Sequence, residues 1–131
     1  LTARREGISF FDSEKLLELP GHPEVGNVLA KKWRLPERTA AAIAYHHHLT
    51  PETRAVLTPE GHLVVDLVVI ANTLCRRAGI GSGGDALTPE FDAGVIARAR
   101  LAPEFLQQLQ NEFPSRMEKY AAFAALFAAA A

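Results

Sequence analysis

The chain has 131 residues, 48% hydrophobic and 22% charged, with 14 Lys+Arg against 15 Asp+Glu for a net charge of -1. This balance excludes bulk disorder and gives no field to hold a polyanion, so one globular domain over 1–131 is expected, with no nucleic-acid partner. Cys75 is the single cysteine and so excludes an internal disulfide or a thiolate-rich zinc site, which fits a reducing cytoplasmic location; no apolar run approaches the roughly 20 residues that cross a bilayer, so no membrane partner is expected either.

Hydrophobic periodicity reads as helix nearly throughout, with Pro and Gly at helix boundaries rather than in hairpin turns. Asp12 or Ser13 is expected to cap a first helix running to Leu19, stopped by Pro20 and Gly21. A second runs from Pro23 to about Arg34, with Val25, Val28, Leu29 and Trp33 as its apolar stripe. Pro36 opens a third, with Ala40, Ile43, Ala44 and His47 on one face, ending in His46, His47 and His48. Residues 49–61 form a loop with a helical turn after Thr50. The run Leu63, Val64, Val65, Leu67, Val68, Val69, Ile70 and Leu74 marks the helix from about His62 to Ala78 as the central core element, capped by Gly79. After a Gly-rich loop to Asp85, Thr88 and Pro89 start a helix to about Leu101 and Pro103 starts another to about Phe113. Ser115 and Glu118 offer a capping box for a last helix through Tyr120, Phe123, Leu126 and Phe127 into terminal alanines. The expected fold is all-α, a multi-helix bundle.

Histidine is the unusual resource: His22, His46, His47, His48 and His62 titrate near neutrality and can bind metal. Adjacent residues on a helix point about 100° apart, so the three consecutive histidines cannot share an ion unless the helix end frays. A hard divalent ion would also want carboxylates, for which Asp66 and Glu24 are the nearest candidates in sequence. Other enzyme templates fail: there is no phosphate loop ending in Lys and Ser/Thr, no nucleophile elbow, and Cys75 sits in an apolar helix as an inert thiol. Arg76 with Arg77, and Arg98 with Arg100, read as solvated faces that could meet an anion.

The series His22-Pro23-Glu24-Val25-Gly26, Leu29, Trp33, Leu35-Pro36, Ile43 and Tyr45-His46-His47 resembles the HDOD domain, a bacterial signalling domain related to the HD phosphohydrolases. Glu14, eight residues before His22, matches the acidic residue ahead of the family histidine, and Val68 to Gly79 matches the apolar helix after the His pair. The clearest correspondence covers 14–79, with 86–131 as C-terminal helices. As packing, Gly26 admits a neighbouring helix, Trp33 anchors a helix end and Pro36 fixes a turn. Leu19 and Gly21 depart from the usual Gly and Asp before His22.

The resemblance implies that catalytic relatives hold metal with a histidine, a His-Asp doublet and a later Asp. This chain has no His-Asp doublet, reads Ala71-Asn72 at the later position, and follows His48 with Leu49-Thr50-Pro51 rather than a Gly-Tyr-Pro signature. His22, His46 and His47 are then residual positions of an ancestral metal site. The resemblance therefore implies a noncatalytic output module with no catalytic residue, metal or other cofactor. Its implied partners are other signalling domains such as receivers and cyclic-di-GMP enzymes, or a small ligand such as a nucleotide. The alternative is a metal-dependent phosphohydrolase in which His22, His46 and His47 bind a divalent ion and the doublet lies upstream. A first residue of Leu1 rather than Met, set beside the resemblance, gives the expectation that the chain is the C-terminal portion of a larger helical domain.

Overall fold

A computed structural model describes residues 2–128, with side chains through 118. The side chains of Tyr120, Phe123, Leu126 and Phe127 and the alanines at the end lie outside the described residues. As expected the chain is all-α, with no strand among the described residues: α1 (Thr2–Glu6), α2 (Phe10–Leu16), α3 (His22–Lys32), α4 (Glu37–Tyr45), a 3-10 turn at Glu52–Arg54, α5 (Pro59–Arg77), α6 (Ala93–Arg98) and α7 (Pro103–Ala128). Two compact units divide it, one ending at Arg100 and the other beginning at Leu101. No helix among the described residues is long and apolar enough to cross a membrane.

In the first unit α4 packs on both α3 and α5, and α5 packs on α6. Small residues make the α3–α4 seam close: a Cβ built on Gly26 would lie 2.6 Å from Ile43 Cγ2, so only glycine fits there. The buried residues of the seam are Pro23, Ala30, Ala41 and Ala42, and α5 supplies Val65, Val69, Ile70 and Leu74 to the core beside Val95 of α6. Thr58 caps α5, its hydroxyl accepting the Gly61 N–H at 3.2 Å. Gly79, at φ +69°, ends it in a Schellman turn, with Ile80 N–H donating to the Cys75 carbonyl at 2.8 Å. Arg34 closes α3 by the same turn at φ +55° without glycine, Leu35 N–H donating to Ala30 at 2.9 Å.

Several boundaries and one face differ from the sequence reading. Ser9, not Asp12 or Ser13, caps α2: its hydroxyl accepts the Asp12 N–H at 3.0 Å, and the helix stops at Leu16 because Glu18 turns left-handed at φ +53°. The stripe on α3 is the wrong face, since Val25, Val28, Leu29 and Trp33 are all exposed, Trp33 by 65%. The tight Gly26 seam turns the small residues inward, so Trp33 anchors nothing in this unit. On α5 the same selection leaves Leu63, Leu67 and Val68 exposed.

Residues 88–92 are not helical, and α6 begins only after Asp92, whose carboxylate accepts the Val95 N–H at 2.8 Å. Guanidinium groups of α5 take the carbonyls upstream of it, Arg76 that of Leu87 at 2.6 Å and Arg77 that of Pro89 at 3.3 Å, in place of helical amides. In the second unit the two expected helices are one. Pro114 lies inside α7, and Ser115, rather than capping a new helix, donates its hydroxyl to the Glu112 carbonyl at 2.9 Å. Pro114 deprives only the Gln110 carbonyl of its amide partner, a loss that the long flanking turns absorb.

Candidate functional site

α2, α3 and the end of α4 converge on three imidazoles. Glu14 of α2, nearly buried, reaches across to the start of α3 and accepts twice from His22, from its backbone N–H at 3.0 Å and from Nδ1 at 2.7 Å. A carboxylate only accepts, so the proton sits on Nδ1 and the Nε2 of neutral His22 carries a lone pair. α4 stops at Tyr45, so His46 and His47 leave the helix and escape the divergence that continued helix would impose. His46 donates Nδ1–H to the Ile43 carbonyl at 2.9 Å, which likewise frees its Nε2. His22 Nε2 lies 3.2 Å from His46 Nε2 and 3.0 Å from His47 Nε2. All three ligand nitrogens fall within 4.8 Å of one another. His48 turns away, its Nδ1 donating to the Thr53 carbonyl at 3.2 Å.

Aromatic rings wall the cluster. Phe11 stacks on His47 with centroids 4.3 Å apart and planes 4° from parallel, and Phe10 tilts against His22 at 5.7 Å. Burial, followed by the neighbouring imidazoles of His46 and His22, pushes His47 down to about 4. Burial also lowers His46, against the opposing pull of its bond to Ile43. Both rings are therefore neutral at physiological pH. The cluster opens on a cavity of about 100 Å3 whose other walls include Ser9, Asn72, Arg76, Gly83 and Asp85.

Asn72 thus stands on the cavity wall, facing the side where the resemblance places the later Asp of catalytic relatives. The remaining wall carboxylate is committed elsewhere: Asp85 pairs with Arg76 and accepts the N–H of Phe10 at 2.9 Å and of Leu87 at 3.0 Å. Burial works against its charge, but these bonds together hold its carboxyl below the usual range. Of the two carboxylates suggested by sequence proximity, neither joins the histidines. Glu24 is exposed in the first turn of α3, and Asp66 lies buried between Arg54 and Arg98. Of the four arginines offered as an anion surface three are occupied, Arg76 by Asp85, Arg77 by Glu90 and Arg98 by Asp66, which leaves Arg100.

Sequence reasoning missed Phe11, Asp85 and the buried Arg54. Phe10-Phe11 ahead of Glu14 was a readable signal, because Phe11 and Glu14 share one helix face at i, i+3. Nothing local marks Asp85 or Arg54. Chemically, three imidazoles with converging Nε2 atoms form a nitrogen donor set that fits a borderline divalent ion, while lacking the carboxylates a hard ion demands.

Among the described residues the chain is all-helical, which is consistent with an HD-like helical bundle. The family model for the HDOD domain matches residues 1–49, a stretch that includes Glu14, His22, Gly26, Ile43, His46 and His47. The match stops before α5, and Asn72 is placed by the structure alone. No curated protein and no solved structure matches the chain.

Proposed function

We propose that the chain acts as a noncatalytic output module of bacterial signal transduction, working in the cytoplasm through contacts with other signalling domains or through a small ligand such as a nucleotide. The observation that carries this reading is that, among the described residues, every carboxylate at the histidine cluster is already bonded. Hydrolysis of a phosphodiester by a bound ion needs acidic ligands to hold a hard metal and a base to take the proton of the attacking water. Here Glu14 is spent on His22, Asp85 on Arg76, and Asn72 is neutral.

The test is incubation with Mg2+ or Mn2+ and cyclic di-GMP. No turnover is expected; metal-dependent turnover that disappears in His46→Ala overturns the proposal. One observation favours a second reading, a metal-dependent HD-type phosphohydrolase: His22, His46 and His47 do converge. Under that reading Asn72→Asp restores a missing ligand and raises metal-dependent turnover, whereas under the first it leaves turnover at background.

A further inference from the structure

We propose that the exposed apolar stripe of α3, with the basic turn that follows it, docks an amphipathic helix of a partner protein that carries acidic residues at one end. This deepens the proposed function and rests on its reading of the chain as a module that works through contacts; it adds the surface and the chemistry of the partner.

Val25, Val28, Leu29 and Trp33 recur at helical spacing along one side of α3, and all four are exposed, Val28 and Trp33 by 65% each. Single apolar residues on a surface are ordinary, but a stripe that ends in a tryptophan marks an interaction site. The fold holds the stripe outward. Pro23, Gly26 and Ala30 take the side of α3 that meets α4, and the helix cannot turn its larger residues inward without opening that close seam.

The charge beside the stripe selects the partner. Every residue from 31 to 38 is exposed, and the stretch carries four cations, Lys31, Lys32, Arg34 and Arg38, against the single anion Glu37, in a chain whose net charge is -1. Among the described residues none of the four takes part in an ion pair. Lys32 lies within the stripe, three residues on from Leu29 and four on from Val28, so an apolar face laid there needs a carboxylate at its edge. The other end of the stripe differs, since Glu24 is exposed in the first turn of α3. The partner's acidic residues therefore belong at one end only, over the last turn of α3. A uniformly anionic bilayer would meet Glu24 as well, which favours a protein partner.

The backbone selects a helix. In the turn after α3 the N–H groups of Trp33, Arg34 and Leu35 donate to the carbonyls of Leu29, Lys31 and Ala30 at 2.9, 3.0 and 2.9 Å. With those groups satisfied, an extended peptide finds no main chain to pair with there, and recognition falls to side chains at i, i+3, i+4 and i+7 of an amphipathic helix.

Trp33 is the single tryptophan of the chain, so its fluorescence reads this surface directly. The probe is an alanine-based peptide of about 18 residues, long enough to be helical in water, with leucines at i, i+3, i+4 and i+7 and glutamates at one end. A control peptide carries lysines in place of the glutamates. With the full chain, the acidic peptide is expected to shift Trp33 emission to the blue and shield it from acrylamide. It should bind about 10-fold tighter than the control at low salt, with the gap closing near about 1 M. Val28→Ser weakens the binding, and Lys31→Glu combined with Lys32→Glu reverses the preference; both variants change exposed positions and are shown to be folded by circular dichroism. No shift, or an equal shift with both peptides, overturns the inference. So does a shift produced by phosphatidylglycerol vesicles but not by the peptide, which gives the face to a membrane, or by protein concentration alone, which gives it to a second copy. Metal-dependent turnover of cyclic di-GMP sinks the noncatalytic function and leaves this surface standing. Failure of the acidic peptide to bind does the reverse.

Discussion

Two polar clusters share the first helical unit, and they differ in what they leave unsatisfied. In one, fully buried Arg54 and the fork of Arg98 converge on Asp66, with Arg98 bonding at 2.9 Å to each carboxylate oxygen and also holding the Leu49 carbonyl at 2.6 Å. Charge meets opposite charge there, and among the buried side-chain atoms of the three residues only Arg54 Nε lacks a partner. In the other, His22, His46 and His47 meet with no opposite charge between them, the outer nitrogens of His22 and His46 tied and the inner nitrogens of His46 and His47 directed at that of His22. A closed cluster of the first kind can only hold the fold together. The open kind retains donor capacity, which is what a ligand uses.

The largest blow to this contrast falls on the closed cluster. Asp66→Ala leaves two guanidinium groups without their anion and is expected to cost about 3–5 kcal/mol, read as a lower urea midpoint. A loss below about 1 kcal/mol would show that the network is solvated and not structural. Next comes the open cluster. Under the metal-dependent reading, a divalent ion at a free concentration about 100 times its Kd should raise stability by about 2.7 kcal/mol, and by nothing in His46→Ala. Differential scanning calorimetry with and without the ion reads both values.

Gly26→Ala tests how firmly α3 and α4 bring the histidines together. Its Cβ meets Ile43 Cγ2 at 2.6 Å, so overpacking should destabilise by about 1–3 kcal/mol, read as a lower urea midpoint. Adding Ile43→Ala makes room for the new methyl and should recover part of that loss. If the single variant is as stable as the parent, the seam is not tight at Gly26.

Acid separates the two clusters most gently. In chelator, His47 titrates at about 4 when folded against 6.5 when unfolded, so its contribution is complete above pH 6.5 and is lost as pH falls toward 4. For Asp66, burial resists the charge but the bonds from Arg98 and Arg54 outweigh it, holding its carboxyl below the ordinary value of 3.8. Its stabilisation is therefore present above pH 3.8 and lost only below. Urea midpoints measured from about pH 7 to about pH 4 should fall, and His47→Gln should flatten that slope; an unchanged slope would show that His47 is not the group responsible.

Much of this was readable in advance. Pro23 and Pro36 mark helix starts because a missing N–H is harmless in a first turn, and Gly79 marks an end because it takes a left-handed turn freely, whereas Pro59, read as loop, opens α5. The spacing of Glu14, His22, Gly26 and His46-His47 pointed to the right side chains. What failed was the choice of face. Val25, Val28, Leu29 and Trp33 form the more hydrophobic stripe of α3, yet the opposite face, with Gly26 and Ala30, packs on α4. Periodicity ranks faces by hydrophobicity, whereas close helix packing selects for shape.

The sequence by itself determined the all-helical class, the starts of α3, α4 and α7, the end of α5 and the identity of the three histidines, because turn chemistry and side-chain type act locally. Only the tertiary structure decided which charges cancel. Asp66, near the histidines in sequence, is claimed by Arg54 and by Arg98, 32 residues away, while His22 meets partners 24 and 25 residues on. Whether a polar group ends up neutralised or left open depends on what long-range folding sets within about 3 Å of it, and no local pattern encodes that distance.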